Sequence, residues 1–281
     1  MSPFEEAGSP ASTGLTIRPL GVGTATGVPL ASLVYGRGWG EFVDAAMLMF
    51  LIEGGPAPIL VDTGTPGPEL TARHHRVQLE RAADAEPRAV LAAAGYDPAD
   101  IPIVVNTHLH WDHCANNGLF SRATFVVQER ELAYASDPLP LHRRSYDRGP
   151  GSTPPWMAVH ARIETVSGDC RIAEGVTVIS LPGHTPGSQG VLVETAAGPY
   201  LIAGDTVDLY ANWHGTSTGD HLPSSVFFSM LDVHESFEKI DALDCTVIPS
   251  HDPLVLRTEV FGHREPEADP ATASPGTGGE R

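Results

Sequence analysis

Lysine is nearly absent from this 281-residue chain: Lys239 stands alone beside sixteen arginines. The 17 basic residues face 35 acidic ones, a formal net charge of −18. Nucleic acid and anionic membrane surfaces both need concentrated positive charge, so this balance excludes them as partners. Cysteine is scarce too. Cys114, Cys170 and Cys245 are odd in number, widely spaced and form no Cys-x-x-Cys pair. That argues against a disulfide framework and for a reducing compartment. No apolar run reaches the length that spans a bilayer, and the longest, Ala45–Ile52, is strand-sized. The opening MSPFEEAGSPASTG carries two acids and has neither the basic nor the apolar region of a secretory signal. A cytoplasmic protein is expected.

A chain of this length buries enough surface to fold without disulfide or metal staples. Residues 1–14 and 263–281 are rich in Ser, Pro, Gly and Ala and are expected to be disordered. Between them there is no low-complexity linker and no internal repeat, so residues 15–262 are expected to form one domain. Short β-branched runs bounded by turn residues predict strands at Met47–Ile52, Ile59–Val61, Ile101–Val105, Thr124–Val127, Val176–Ser180, Gly190–Glu194, Tyr200–Ala203 and Thr246–Ile248. Helical periodicity predicts one or two helices over Glu69–Ala94, with Pro87 in a first turn and Gly95 as a stop, and others at Gln128–Ala135 and Ser229–Leu243. LGVGTATGV, from Leu20, reads as a strand running into a turn. Strands alternate both with helices and with hairpins, which favours a mixed αβ sandwich over a purely parallel wound sheet.

The segment THLHWDHC carries the strongest chemical signal. His108, His110, Asp112 and His113 form His-x-His-x-Asp-His, a pattern that chance predicts about 0.002 times in a chain of this composition. Residues two apart at the extended end of a strand point to the same side, which pairs His108 with His110. Asp112 and His113 follow at a tight turn and aim elsewhere. Imidazole and carboxylate are ligands that zinc and similar metals prefer. Two pairs with two aims suit two neighbouring metals better than one. Three later strand runs also end in a candidate ligand: His184 after VTVISLPG, Asp205 after PYLIAG and His251 after CTVIPS. Ligands delivered from the C-terminal ends of several strands would gather along one edge of a sandwich.

These residues resemble the metallo-β-lactamase fold superfamily from about Ile17 to Phe261, and within it the N-acyl-homoserine lactonase-like branch. The stretches that carry the likeness are ILVDTG, GYDPADIPIVVNTHLHWDHCANNGLF, VVQERELAYASDPLP, LPGHTPGSQGVLVET and LIAGDT. The resemblance implies a four-layer αβ/βα sandwich of two mixed β-sheets flanked by helices. It implies two Zn2+ per chain, with Fe, Co or Mn as substitutes. His108, His110 and His184 would hold the first; Asp112, His113 and His251 the second; Asp205 would bridge them. Asp62 would support the ligand loop from behind. The implied reaction is opening of a lactone, or cleavage of a related ester, by a metal-bridging hydroxide. Asp112 is the candidate proton carrier, and the partner is a small-molecule lactone or ester. A monomer or homodimer is expected.

One position departs from the branch. Its homoserine-lactone-cleaving members carry a tyrosine three residues after the bridging aspartate, where this chain has Asp208. An ionised carboxylate cannot donate the hydrogen bond that a tyrosine gives a substrate carbonyl. Tyr210 is the nearest replacement and, with Trp111, a candidate substrate contact. Segment Asp137–Trp156 is long and Pro/Gly-rich, and its Arg143, Arg144 and Arg148 could meet a substrate carboxylate. Other signals are decoys. Ser236–Lys239 matches Ser-x-x-Lys without any partner motif and reads as exposed helix. HESFE, from His234, misses the second histidine of a zinc helix. Cys114 reads as a small packing residue rather than a nucleophile. Alternatives on the same fold are an iron-dependent oxidoreductase or dioxygenase and a thioester hydrolase.

Overall fold

The computed structural model describes residues 14–149, 151–215 and 221–263. The first sheet contains β1 (Thr16–Pro29), β2 (Phe42–Glu53), β3 (Ile59–Val61), β4 (Gln78–Glu80), β5 (Ile103–Val105), β6 (Thr124–Gln128) and β7 (Ile163–Val166). Its spatial order is β4-β1-β2-β3-β5-β6-β7, antiparallel as far as β3 and parallel from β3 to β7. The second sheet contains β8 (Cys170–Ala173), β9 (Val176–Ser180), β10 (Gln189–Thr195), β11 (Gly198–Ile202) and β12 (Thr246–Ile248), in order β12-β11-β10-β9-β8. Only β11 and β12 are parallel there. Both sheets are mixed.

The sheets pack face to face over a core in which Leu48, Phe50, Val105 and Val126 meet Val178, Val191, Ile202 and Ile248. Strand β2 explains why this architecture has four layers. Its even residues, such as Leu48 and Phe50, enter the inter-sheet core, while Met47, Met49 and Leu51 enter a second core on the outer face. A strand buried on both faces reads as a continuous apolar run. Leu91, in the helix Pro87–Ala93, lies in that second core. On the far side Val233, Phe237 and Ile240 of the helix Met230–Ala242 cover the second sheet. The order αβ/βα is therefore the one expected from the resemblance.

Several local expectations are corrected. The span Glu69–Ala94 is not one or two long helices. A short helix passes into a π-turn at Thr71–His75 that ends on Arg76 in the left-handed region, φ 58°. Edge strand β4 follows, pairing Glu80 with Thr24 and Leu79 with Ala25, and only Pro87–Ala93 is a true helix. Leu79, buried between exposed Gln78 and Glu80, is the period-two signal that the charged flanks obscured. Strand β1 extends through the glycine-rich LGVGTATGV rather than turning there. Register shifts interrupt it between Gly21 and Thr24 and between Ala25 and Val28. At Gly23, φ 138°, a Cβ would press on Leu79 and Glu80, so glycine allows β4 to approach. The Ser236–Lys239 stretch is half buried: Ser236 faces inward and donates to the Pro182 carbonyl at 2.6 Å.

The expectations for the two termini fall outside the described residues, except at Gly14 and His263. The domain's first and last described strand segments meet where Ile17 and Phe261 bridge. Among the described residues no helix is long and apolar enough to cross a membrane.

Candidate metal centre

Five strand ends converge on one edge of the sandwich. Asp62 follows β3; His108 and His110 follow β5; His184, Asp205 and His251 follow β9, β11 and β12. These strands point the same way within their sheets, so their C-terminal loops share one rim. His110 remains extended (ψ 157°) and caps the one-turn helix Trp111–Cys114, which swings Asp112 and His113 toward the second sheet.

The seven candidate ligands gather into three overlapping groups: His108, His110 and His184; His108, His113 and Asp205; and Asp112, His113 and His251. Within each group the ligand atoms lie within 4.8 Å of one another. The Asp205 carboxylate divides between the two ends. Its Oδ2 lies 3.8 Å from His108 Nε2 and 3.5 Å from His184 Nε2. Its Oδ1 lies 3.1 Å from His113 Nε2 and 3.2 Å from His251 Nε2. Asp112 closes the second end, 4.0 Å from both His113 and His251.

Hydrogen bonds behind the cluster decide which ring nitrogens face inward. His184 Nδ1 donates to the Val226 carbonyl at 2.8 Å and His251 Nδ1 to the Ala46 carbonyl at 3.0 Å. A carbonyl only accepts, so both rings carry the proton on Nδ1 and present Nε2 to the centre. His113 Nδ1 is 2.8 Å from Asp62 Oδ2 and is fixed the same way. Thr107 Oγ1 donates to Asp62 at 2.8 Å, which leaves its oxygen to accept from His108 Nδ1 at 3.1 Å. His110 is turned the other way, with Nδ1 3.0 Å from His184 Nε2.

The resulting cluster fits a divalent cation. His108 Nε2 is buried and lacks a hydrogen-bond partner among the described residues, and His113 Nε2 and Asp205 Oδ1, buried 3.1 Å apart, are not aligned as a hydrogen bond. Buried polar atoms seldom stay unpaired without a ligand to satisfy them. Protonation follows the same division. Burial, then neighbouring imidazoles, holds His108 and His110 well below the ordinary histidine pKa, and burial lowers His184 as well. All three are neutral, the form that binds metal. Burial opposes protonation of His113 and His251, but the Asp205 charge overrides it, raising His113 well above normal and His251 to about 9. Protons thus occupy the end where cationic charge is required, and metal uptake there is linked to their release.

Asp62 anchors the assembly. It accepts from Thr107 N, Thr107 Oγ1 and His113, each at 2.8 Å, from a left-handed backbone with φ 60°. Asp62→Ala is expected to weaken metal binding roughly 10–100-fold. Competition against a chromogenic chelator measures this, and unchanged affinity would contradict the role.

Glu131 is a second anchor that the sequence did not announce. Its buried carboxylate accepts from Leu109 N (2.9 Å), between two ligands, from Thr185 Oγ1 (2.6 Å), beside a third, and from Tyr146 OH (3.0 Å). Tyr146 in turn packs edge-on against His110, ring centres 4.6 Å apart. Gly187 is a glycine because a Cβ there would overlap the Glu131 backbone nitrogen. Burial raises the Glu131 carboxyl, while these donors draw it back toward ionisation.

A cavity of about 220 Å³ opens onto the cluster. His110, Asp112, His184, Asp205, Asp208 and His251 form its polar floor, and Ala25, Val28, Leu33, Met47, Val77 and Val226 contribute to its apolar walls. Trp111 lines it and stacks on His75, ring centres 4.1 Å apart and 11° from parallel. Asp208 is buried with Oδ1 unpartnered; burial first, then the charge of Asp205, pushes its pKa up to about 8. Tyr210 is not brought in. Its ring packs against the inter-sheet core and stacks on His214, while Asp252 Oδ2 accepts its backbone N–H at 2.9 Å. Arg143, Arg144 and Arg148 do not line this cavity but a separate cleft. Cys114 is buried, its thiol 3.5 Å from the Leu109 carbonyl.

Comparison with known proteins identifies the family and the fold. The chain is 28% identical over 235 residues to the N-acyl homoserine lactonase AiiA of Bacillus thuringiensis subsp. kurstaki, covering 80% of this chain and 83% of that one. It is 33% identical over 178 residues to the N-acyl homoserine lactonase AttM of Azorhizobium caulinodans, covering 59% and 63%. A solved N-acyl homoserine lactone hydrolase, with the product N-hexanoyl-L-homoserine bound at its catalytic metal centre, superposes with a TM-score of 0.68 at 21% identity, covering 87% and 95%. The family model of the metallo-beta-lactamase superfamily matches residues 48–251, from the middle of β2 to His251, and the chain belongs to that superfamily.

Proposed function

We propose that this chain is a hydrolase that opens a lactone ring, or cleaves a related ester, at a dinuclear zinc centre. The observation that carries the reading is the division of the Asp205 carboxylate between two histidine groups, one oxygen toward each. His108, His110 and His184 would hold one cation; Asp112, His113 and His251 would hold the other, and Asp205 would serve both. Nitrogen and carboxylate donors in this number suit zinc. Two such cations supply Lewis acidity, polarising a scissile carbonyl and lowering the pKa of an attacking water.

The rest of the task falls to the chain. Asp112, which lines the cavity, would receive the proton of the attacking water and return it to the leaving oxygen. The apolar wall of Val28, Leu33, Met47 and Val226 would accommodate an aliphatic substituent. Trp111, held by its stack on His75, gives that wall a rigid aromatic face. Asp208 stands where the lactonase-like branch has tyrosine, and its unpartnered Oδ1 is the polar contact available at that corner. The named relatives act on N-acyl homoserine lactones, and a five-membered lactone with an apolar substituent is the corresponding substrate class here.

The test is a panel of acyl-amido lactones of graded chain length, open-chain esters and thioesters given to the metal-loaded protein. Product is read by mass spectrometry as the ring-opened acid, one water heavier. Turnover of the lactones above the esters and thioesters supports the reading. Absence of hydrolysis from fully metallated protein would overturn it.

A further inference from the structure

We propose that a second cleft, beside the metal cavity, binds a small phosphorylated molecule bearing several negative charges. Five of the sixteen arginines line one cleft of about 890 Å³: Arg73 and Arg76 from the π-turn region, and Arg143, Arg144 and Arg148 from the loop after the helix Glu129–Ser136. Crowding of five like charges in one cleft is unfavourable unless an anion offsets their mutual repulsion.

The local acids do not neutralise the cluster. Asp147 lines the cleft, its carboxylate 3.1 Å from Nε2 of buried His75, and sets one negative charge against five guanidiniums. Exposed Asp137 reaches only Arg143, at 3.7 Å. Two guanidiniums are instead fixed by uncharged acceptors. Arg144 Nε donates to the His74 carbonyl at 2.7 Å, and Arg148 donates to the carbonyls of Ala135 and Ser136. Carbonyl anchors hold the planes of the guanidiniums without cancelling their charge, which is how a preorganised oxyanion receptor is built. The opposite wall is irregular backbone. The π-turn Thr71–His75 and left-handed Arg76 present Arg73 and Arg76 together, and π-turns recur at functional sites.

Planar guanidinium forks match phosphate oxygens in pairs, and a group of five suits more than one phosphate. The chain's overall acidity repels a long polyanion, whereas a small one can enter. The cleft is distinct from the metal cavity, because none of its arginines lines that cavity. The two share a partition. Trp111 stacks on His75, and its backbone N–H donates to the carbonyl of Ser145, next to Arg144 in the loop. Occupancy of the cleft would bear on this partition. The proposal does not depend on what reaction the metal cavity performs.

The probe is fructose 1,6-bisphosphate, titrated calorimetrically into metal-loaded protein at constant ionic strength. A double variant, Arg73→Gln with Arg143→Gln, removes two exposed charges whose one ion pair, Arg143 with exposed Asp137, lies at the surface. One saturable site is expected in the parent protein, with affinity falling roughly tenfold or more in the double variant. Lactone turnover without the bisphosphate should be the same in both. Absence of saturable binding, or equal affinity in parent and variant, would overturn the proposal. Tighter binding of the tricarboxylate tricarballylate than of the bisphosphate would overturn the phosphate assignment.

Discussion

Asp205→Ala is expected to lower kcat/KM for lactone opening by roughly 10³-fold or more, the equivalent of about 4 kcal/mol of transition-state stabilisation. Its two oxygens lie within 3.8 Å of four other proposed ligands, His108, His113, His184 and His251, and so reach both ends of the cluster. Its removal leaves one end of the cluster with His108, His110 and His184 and the other with Asp112, His113 and His251, no longer tied together. Metal content should fall along with activity. The fold should survive, because the Asp205 charge is the largest influence raising His113 and His251, and its loss lowers both toward the neutral imidazole. His113 keeps Asp62 and Asp112 beside it, so a residual proton there would not lack a counter-charge. Circular dichroism and metal analysis on the purified variant separate these outcomes. Parent-level turnover with reduced metal would contradict the shared-carboxylate account.

Glu131→Ala should act on stability first and on the centre through it. The substitution leaves the Leu109 N–H, the Tyr146 hydroxyl and the Thr185 hydroxyl without their acceptor in a buried setting. Unsatisfied buried groups of this kind cost about 1–3 kcal/mol each, and partial re-pairing of the hydroxyls brings the expected loss to roughly 3–5 kcal/mol. A urea midpoint shift at unchanged slope reads that loss. Because Leu109 lies between His108 and His110, and Thr185 follows His184, metal affinity should also fall roughly 10–100-fold. Glu131→Gln provides the control. An amide keeps one oxygen for Leu109 and Tyr146, and its NH₂ can donate to Thr185, so both losses should be largely recovered. If alanine and glutamine variants bind metal equally well, Glu131 positions nothing.

The candidate ligands were legible in the sequence because their chemistry is compact. His108, His110, Asp112 and His113 lie within six residues, and His184, Asp205 and His251 each follow a strand-length apolar run. The residues behind them were not legible. Glu131 looks like any acid in a helix; its function depends on Gly187 and Thr185, which meet it only through the packing of helix Glu129–Ser136 against the loop after β9. Tyr146 and His75 lie in irregular segments whose paths no periodicity encodes. Tyr210 shows the converse failure. Proximity in sequence to Asp208 placed it near the centre, but the helix Tyr210–His214 turns its ring toward the inter-sheet core. The fold was readable wherever strands were buried on both faces, as in β2 and β5. It was obscured where glycines interrupt β1 and where β4 lies within a charged stretch at a sheet edge.

If Asp205 joins two cation sites that act together, activity must follow the filling of both. The most direct test titrates zinc into protein stripped by chelation, recording bound metal per chain and ring-opening rate in the same samples. The account predicts saturation at two zinc ions per chain, with full activity appearing only as the second site fills. Full activity at one ion per chain, with no further gain on saturation, would contradict it.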